Sequence, residues 1–489
     1  MNTESVSEPT LWAEIDVTGI GARPVQEQPH RKARAWWCGG ARRYGPPVPR
    51  RRALHMNQFS RFAMLAAVSL AASIAAADSA SAGGFAIREQ SATAQGSSYA
   101  GAASGAGGPS SMFWNPATIT TLPGWQNQWN ASVIMPRSEI DPLPSTPTIP
   151  FGGSGDIAQD AIVPTSYLSY QLNERLWLGF ASSTPFGLVT DPRQNWSGQV
   201  YSRSSRIFTA NLNPIVGVKL NDWLSVAAGP MIEYFDVRLK NAAGIVPNDP
   251  SAILEGDDWG GGFTAGVTIT PVAGTTLGIG YRSSIRHTLE GTLATPAGIF
   301  GPSALKFPVK TNLNTPDQVT VGLSQVITPA LTLHAGFEWQ NWSRAGDPAI
   351  VGPSGAPISH LPLNYDDGYF YALGADYRLN ERWILRAGFA YEQSPIDTAV
   401  RSTRLPDSDR YWVSIGASYQ YNEKLSFDVA YTHVFHKDAD IRIVPGHQDY
   451  AGLPFVAEAE TDVNLISAAL RYRWDDPAKP FPAPIVRKN

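Results

Sequence analysis

The sequence predicts an all-β protein, a 14-stranded antiparallel transmembrane β-barrel with an N-terminal hatch (plug) inside the lumen. Three observations predict it. Hydrophobicity alternates with a period of two over stretches of about ten residues, the length a tilted strand needs to cross a bilayer. Short Asn-rich turns alternate with long irregular segments. A secretory leader precedes the whole pattern.

The leader is Met56 to Ala82. Arg61 supplies its positive end, Phe62 to Ala77 its apolar stretch, and Ala80-Ser81-Ala82 a small-residue cleavage site. The mature chain is therefore expected to begin at Gly83. Residues 1–55 are Arg-, Pro- and Gly-rich and show no period. They read as an artefact of a start codon placed upstream of Met56, or as a disordered basic extension. The lone cysteine, Cys38, falls within them.

Residues 83–123 are too rich in Gly, Ala and Ser to be a lipid-facing strand. Such a segment before a barrel has few places to go, and filling the lumen is one. From Gln126 onward the period is two. Leu331, Leu333, Ala335, Phe337 and Trp339 share one face, and Thr332, His334, Gly336, Glu338 and Gln340 the other. Short turns recur as Leu172-Asn173-Glu174, Leu220-Asn221-Asp222, Leu379-Asn380-Glu381 and Tyr421-Asn422-Glu423, with Thr270 to Gly274 and Thr328 to Ala330 in the same role. Asn, Asp, Gly and Pro accept the turn dihedrals. Between them lie the long segments 137–160, 186–205, 239–260, 288–316, 343–367, 393–408 and 437–461. Six short turns and seven long segments require fourteen strands within 124–474. Short periplasmic turns and long outer loops are the barrel rule. Trp177, Trp223 and Trp383 each follow a short turn and are expected in an inner aromatic girdle. Residues 475–489 would form a periplasmic tail.

Composition supports this class. The chain is 43% hydrophobic and 11% aromatic, with 15 Trp and mean hydropathy −0.17. Only alternate residues of a membrane barrel face lipid, so its average stays polar. A net charge of −4 and a pI near 6.1 argue against a nucleic-acid partner.

The sequence resembles the FadL family of outer-membrane long-chain fatty-acid and hydrophobic-compound transporters. The residues that carry the resemblance are the start Gly83-Gly84-Phe85, the stretch Gly96 to Ala102, and Asn115-Pro116-Ala117, together with the strand count. Two departures stand out. Gly107, Gly108 and Pro109 occupy positions where the family commonly has an acidic residue. Fifteen residues follow Trp474, where the family tends to end on an aromatic. The resemblance implies passive transport of long-chain fatty acids or related hydrophobic compounds, without enzymatic activity, cofactor or metal. Capture by outer loops would lead to hatch movement and lateral exit beside a kinked third strand. It also implies a monomer in contact with outer-membrane lipid and lipopolysaccharide.

Candidate residues follow. Phe85, Asn115, Pro116 and Ala117 belong to the hatch. Pro185 and Gly187 break the third strand's alternation, since Pro removes a ladder donor and Gly weakens pairing; the alternative is that Pro185 simply ends the strand. Asn115 is expected to bond wall groups that this kink frees. Ile299, Phe300, Leu305 and Phe307, with Ile245, Val246, Ile253 and Leu254, put apolar side chains on long loops, suited to capturing greasy ligands or to packing on one another. Arg282 and Arg386 face the lumen by alternation. Either could pair with a carboxylate ligand, or with Glu233, Glu338 or Asp376. His334 and Glu338 share the lumen face without a nucleophile or metal spacing. An aromatic-hydrocarbon channel of the same fold, a polar porin and an outer-membrane lipid hydrolase stay open as alternatives.

Overall fold

A backbone inside a bilayer must satisfy its own hydrogen bonds, and strands do this only by closing into a ring. In the computed structural model, which describes residues 83–475, fourteen strands form that ring. They are β1 Trp125–Pro142, β2 Ala161–Gln171, β3 Leu176–Ser183, β4 Ser204–Lys219, β5 Leu224–Ala242, β6 Ser251–Val272 and β7 Thr275–Arg282. The ring continues with β8 Gln318–Val326, β9 Leu331–Gln340, β10 Gly368–Arg378, β11 Trp383–Gln393, β12 Arg410–Gln420, β13 Leu425–His436 and β14 Phe455–Arg473. Each pairs antiparallel with the next. β14 returns to β1 from Gln126↔Arg473 to Pro142↔Ala457, so the sheet has no free edge at the seam. The leader, residues 1–55 and the tail beyond 475 lie outside the described residues. Among the described residues no helix is long and apolar enough to cross a membrane.

The Asn turns share one hydrogen bond. The side-chain oxygens of Asn173, Asn221, Asn380 and Asn422 accept from the backbone N–H two residues on, at 2.9, 3.0, 2.9 and 2.9 Å. The bond mimics a backbone turn and fixes the register of the flanking strands. Outward positions form the lipid face, where Phe263, Leu373, Ile415 and Val429 are each at least half exposed.

Two expectations about the strands and their girdle need correction. Several long segments are not irregular. β5 runs on to Ala242 and β6 starts at Ser251, and the span 288–316 is mostly a hairpin of Arg286–Thr295 with Leu305–Asn314. Continued laddering satisfies backbone groups above the membrane, where no lipid face imposes strict alternation. Trp177 is not in the girdle. It is 3% exposed and donates its indole N–H to Leu122 O at 2.8 Å, which turns it into the lumen. Trp223 and Trp383 do face outward, and Trp383 packs on Tyr419 at 4.7 Å.

β3 stops at Ser183, and a short strand, Gly187–Thr190, resumes the pairing with β4. Ser183 faces Asn211 and Gly187 faces Phe208, so β3 carries one extra residue there, a bulge at Pro185. On the other side, pairing with β2 ends at Ser166↔Ser182. Among the described residues, 161–165 of β2 have no ladder partner on the β3 side, and the wall is interrupted.

Residues 83–122 occupy the lumen. The segment's start completes the broken strand: Ile87 N–H donates to Pro185 O and Gly187 N–H to Phe85 O, both at 2.8 Å. Gln90 Nε2 donates to Thr184 O at 2.7 Å. The expected Asn115 contact with the kink is therefore corrected. Asn115 Nδ2 instead donates to Val267 O on β6 at 2.9 Å and to Ala103 O at 2.8 Å. Its Oδ1 caps Ala117 N–H at 3.0 Å, opening the 3-10 turn Pro116–Thr121. Asn as a cap with Pro next suits a helical start, and with these bonds made the Asn115 amide is committed to β6 and the lumen segment rather than to the break at Pro185.

Small wall residues let the segment lie flush. A Cβ on Gly278 would meet Ala103 O at 1.7 Å, one on Gly280 would meet Trp114 O at 1.8 Å, and one on Gly388 would meet Ser97 C at 2.1 Å. Close backbone approach of this kind requires glycine.

Candidate ligand-binding site

Above the lumen segment the outer loops and strand extensions enclose a cavity of about 310 Å³. Its apolar wall comes from alternate residues of the strands that run past the membrane. Phe235, Val237 and Leu239 come from β5, and Leu289, Leu293, Val309 and Leu313 from the outer hairpin. A large apolar pocket with few polar groups is the usual form of a small-molecule site. Phe85, from the lumen segment, also lines it. The Phe85 ring packs on Trp342 at 4.6 Å, on Phe186 at 6.0 Å and on Phe235 at 6.4 Å. One residue thus touches the cavity and the β3 break together.

Of the lysines and arginines on the lining, Lys310 is taken by Glu290 at 2.5 Å; the other is Arg404, on the loop before β12. Its Nη1 donates to Ser205 Oγ at 3.2 Å and to the carbonyls of Ser204 and Lys240 at 3.3 Å. Among the described residues no carboxylate lies within ion-pair distance of it. Burial pushes its pKa down to about 10, so it stays charged at neutral pH. Asp449, also on the lining, is pushed up to about 6 by burial, against the pull of Arg404.

Below the cavity the lumen holds a charged network. Arg88 meets Glu338 at 3.1 Å and Glu392 at 3.3 Å, and Arg410 meets Glu392 at 3.4 Å and Asp407 at 2.5 Å. Asp407 also accepts from Gly84 N–H at 3.1 Å, and burial raises its pKa. The network ties the start of the lumen segment to the wall.

The sequence-derived candidates fall in different places. Phe85 reaches the cavity. Pro185 and Gly187 sit at the bulge against it. Asn115, Pro116 and Ala117 are buried deep on β6. Arg386 is internal, 3.2 Å from Asp376 and 3.7 Å from Asp428. Arg282 is buried, with its guanidinium 4.4 Å over the Phe113 ring, and donates to Phe113 O at 3.4 Å. Neither arginine lines the cavity. Ile299, Phe300 and Leu305 are exposed near the hairpin tip, Phe300 packs on Phe307 at 6.0 Å, and none of the four lines it either. The hairpin's inward residues line it instead. Leu254 does line it.

His334 Nδ1 lies 2.8 Å from Ser324 Oγ and Nε2 3.4 Å from Asp376. This resembles a nucleophile relay in composition only. Ser324 Oγ is held by Ser104 Oγ at 2.6 Å, and a Cβ on Gly101 would meet His334 at 2.7 Å, so no acyl substrate fits there. Glu338 serves Arg88 instead. Among the described residues no cluster of His, Cys, Asp and Glu can hold a metal.

Sequence reasoning missed Arg404, Asp449 and Tyr365. All three lie on loops, where no period tells inside from outside. The two arginines Arg401 and Arg404, close together on one long loop, were the available signal.

Comparison with known proteins agrees with the geometry. The family model described as "Outer membrane protein transport protein (OMPP1/FadL/TodX)" matches residues 73–474. The "Long-chain fatty acid transport protein" of Escherichia coli O6:H1 is 25% identical, covering 72% of this chain and 86% of its own. "Outer membrane protein P1" of Haemophilus influenzae is 24% identical over 86% of this chain and 100% of its own. A crystal structure of a Pseudomonas aeruginosa FadL homologue superposes with TM-score 0.72 at 24% identity, covering 81% of this chain and all of that one. The Ralstonia pickettii toluene transporter TbuX superposes with TM-score 0.58 at 20% identity, covering 79% and 99%. The closed fourteen-strand ring, the lumen-filling segment and the family match over the whole barrel place this chain in the OMPP1/FadL/TodX family of outer-membrane transport proteins.

Proposed function

We propose that the protein carries long-chain fatty acids, or closely related apolar chains with an acidic head, passively across the outer membrane. The observation that carries this reading is Arg404, a guanidinium without a carboxylate partner on the wall of an apolar cavity. A fatty acid offers what this pairing needs, a tail for Leu239, Leu289 and Leu313 and an anion for Arg404. The chain and its head would enter from the outer loops. Occupancy beside Phe85 would disturb the ring cluster that holds the first residues of the hatch against Pro185 and Gly187. Those residues then leave the β3 break, and the ligand exits sideways into lipid. The ladder closes from β14 to β1 and leaves no free edge at that seam, which supports action as a monomer.

Uptake of aromatic hydrocarbons is the second reading, favoured by Phe85, Phe235 and Tyr365 on the lining. Competition binding decides between them. A fatty acid should displace a bound fluorescent fatty acid far better than toluene does. Equal displacement, or displacement by toluene alone, would overturn the fatty-acid reading.

A further inference from the structure

A second cavity, of about 60 Å³, lies against the inner wall beside the β3 break. Leu188 and Leu405 line both this cavity and the larger one, so they form the partition between them. Thr190 and Ala158, joined by an isolated bridge near the interrupted wall, lie on its far side. Most of its lining is apolar. Its polar groups are clustered and include Asp407, Arg410 and His436.

His436, the last residue of β13, is unusual. Both of its ring nitrogens are buried, and neither has a hydrogen-bond partner. Buried nitrogens without partners are rare and costly, and two on one ring beside a cavity point to a ligand atom that completes them. The charge balance says which kind. Arg410 already meets Asp407 and Glu392, and the network that includes Arg88 sets two guanidiniums against three carboxylates. No positive charge is spare, so a further anion would be repelled. An imidazole, with one donor and one acceptor in either tautomer, fits an uncharged hydroxyl or carboxylic acid.

We propose that this small cavity is a second head-group site, where an apolar-tailed ligand binds through an uncharged hydroxyl or carboxylic-acid head hydrogen-bonded to His436. The proposal rests on the fatty-acid reading for the ligand's tail. It adds that the head group is read twice, as an anion at Arg404 and as a neutral group at His436. Leu405, the next residue after Arg404, stands between the two sites.

Crystals of the mature chain soaked with a long-chain alcohol and a long-chain sulfonate, each brominated beside the head group, separate the two sites. The alcohol should give an anomalous bromine peak beside His436, and the sulfonate one beside Arg404. His436→Leu should remove the first peak and leave the second. It should also slow fatty-acid uptake about tenfold, the loss expected for one hydrogen bond to the ligand, with the barrel folded by heat-modifiability. Leu188→Trp, which thickens the partition and keeps the His436 side chain, should slow uptake while sulfonate still binds at Arg404. No bromine beside His436, an ordered water there in its place, or a peak that survives His436→Leu would overturn the proposal. Loss of the Arg404 peak alone would instead overturn the fatty-acid reading.

Discussion

Replacing Arg404 with Gln should weaken binding of a fatty-acid anion and spare the matching methyl ester. In the free protein the guanidinium holds three oxygens, none from a carboxylate. Its charge is therefore available to a ligand, and burial has lowered its pKa only to about 10. A hydrogen bond to a charged group contributes about 1.5–3 kcal/mol. Arg404 is half-buried, so solvent screening puts the expected loss near the lower end, about tenfold in Kd. The fold should hold, since the change leaves no closely paired carboxylate behind. Titration calorimetry on the detergent-purified protein, with the acid and its ester as a pair, reads the difference. Equal losses for both ligands would reduce Arg404 to a packing residue. An unchanged acid would place the head group elsewhere.

Arg386→Ala should act on stability rather than on binding. It strips Asp376 and Asp428 of their buried partner, at a cost of about 3–5 kcal/mol, read as an earlier unfolding midpoint in urea with ligand affinity unchanged in the folded fraction. Asn115→Ala removes the cap on Ala117 and the bond to Val267 O. The barrel should still form by heat-modifiability, while limited proteolysis reaches the lumen segment faster than in the parent. Asp449 gives a pH dependence. Its carboxyl, raised from 3.8 to about 6 in the folded protein, is ionised above that value and repels an anion at Arg404. Affinity for an alkyl sulfonate, which stays charged, should therefore rise as pH falls from 7 to 5, and the loop should gain stability over the interval from about 6 down to 3.8. A flat profile would remove Asp449 from the site. Finally, mass spectrometry of outer-membrane fractions should find an N-terminal peptide beginning at Gly83, and peptides from residues 1–55 in that fraction would contradict cleavage there.

Inside the membrane the strands were legible almost residue for residue. β2 lies at the expected 161–171, because lipid on one face and a packed lumen on the other leave no freedom in the period. Outside the membrane that constraint ends, and the extensions of β5, β6 and β14 passed for loops. Trp177 shows a second limit. It sits beside a short turn like Trp223, and it turned inward because Leu122, dozens of residues upstream, offers its carbonyl. The break at Pro185 was visible from composition. Its partner was not, because the bond from Gly187 to Phe85 joins residues about a hundred positions apart. Gly84 with Asp407, and Arg404 with Lys240, are longer-range still. Site residues supplied by loops and joined across such distances leave no periodic trace.

The glycines that let the lumen segment lie on the wall have an electrical consequence. With backbone resting on backbone at Gly278, Gly280 and Gly388, no film of water separates the two surfaces there, and ions find no continuous aqueous thread. A barrel of this size without that contact would conduct like a porin. On the proposed function, an oily molecule can pass while the membrane remains an insulator. A single methyl group would be enough to spoil this, because Gly280→Ala would drive its Cβ into Trp114 O and lift the segment off the wall. In a planar bilayer such a variant would announce itself as current steps where the parent is silent.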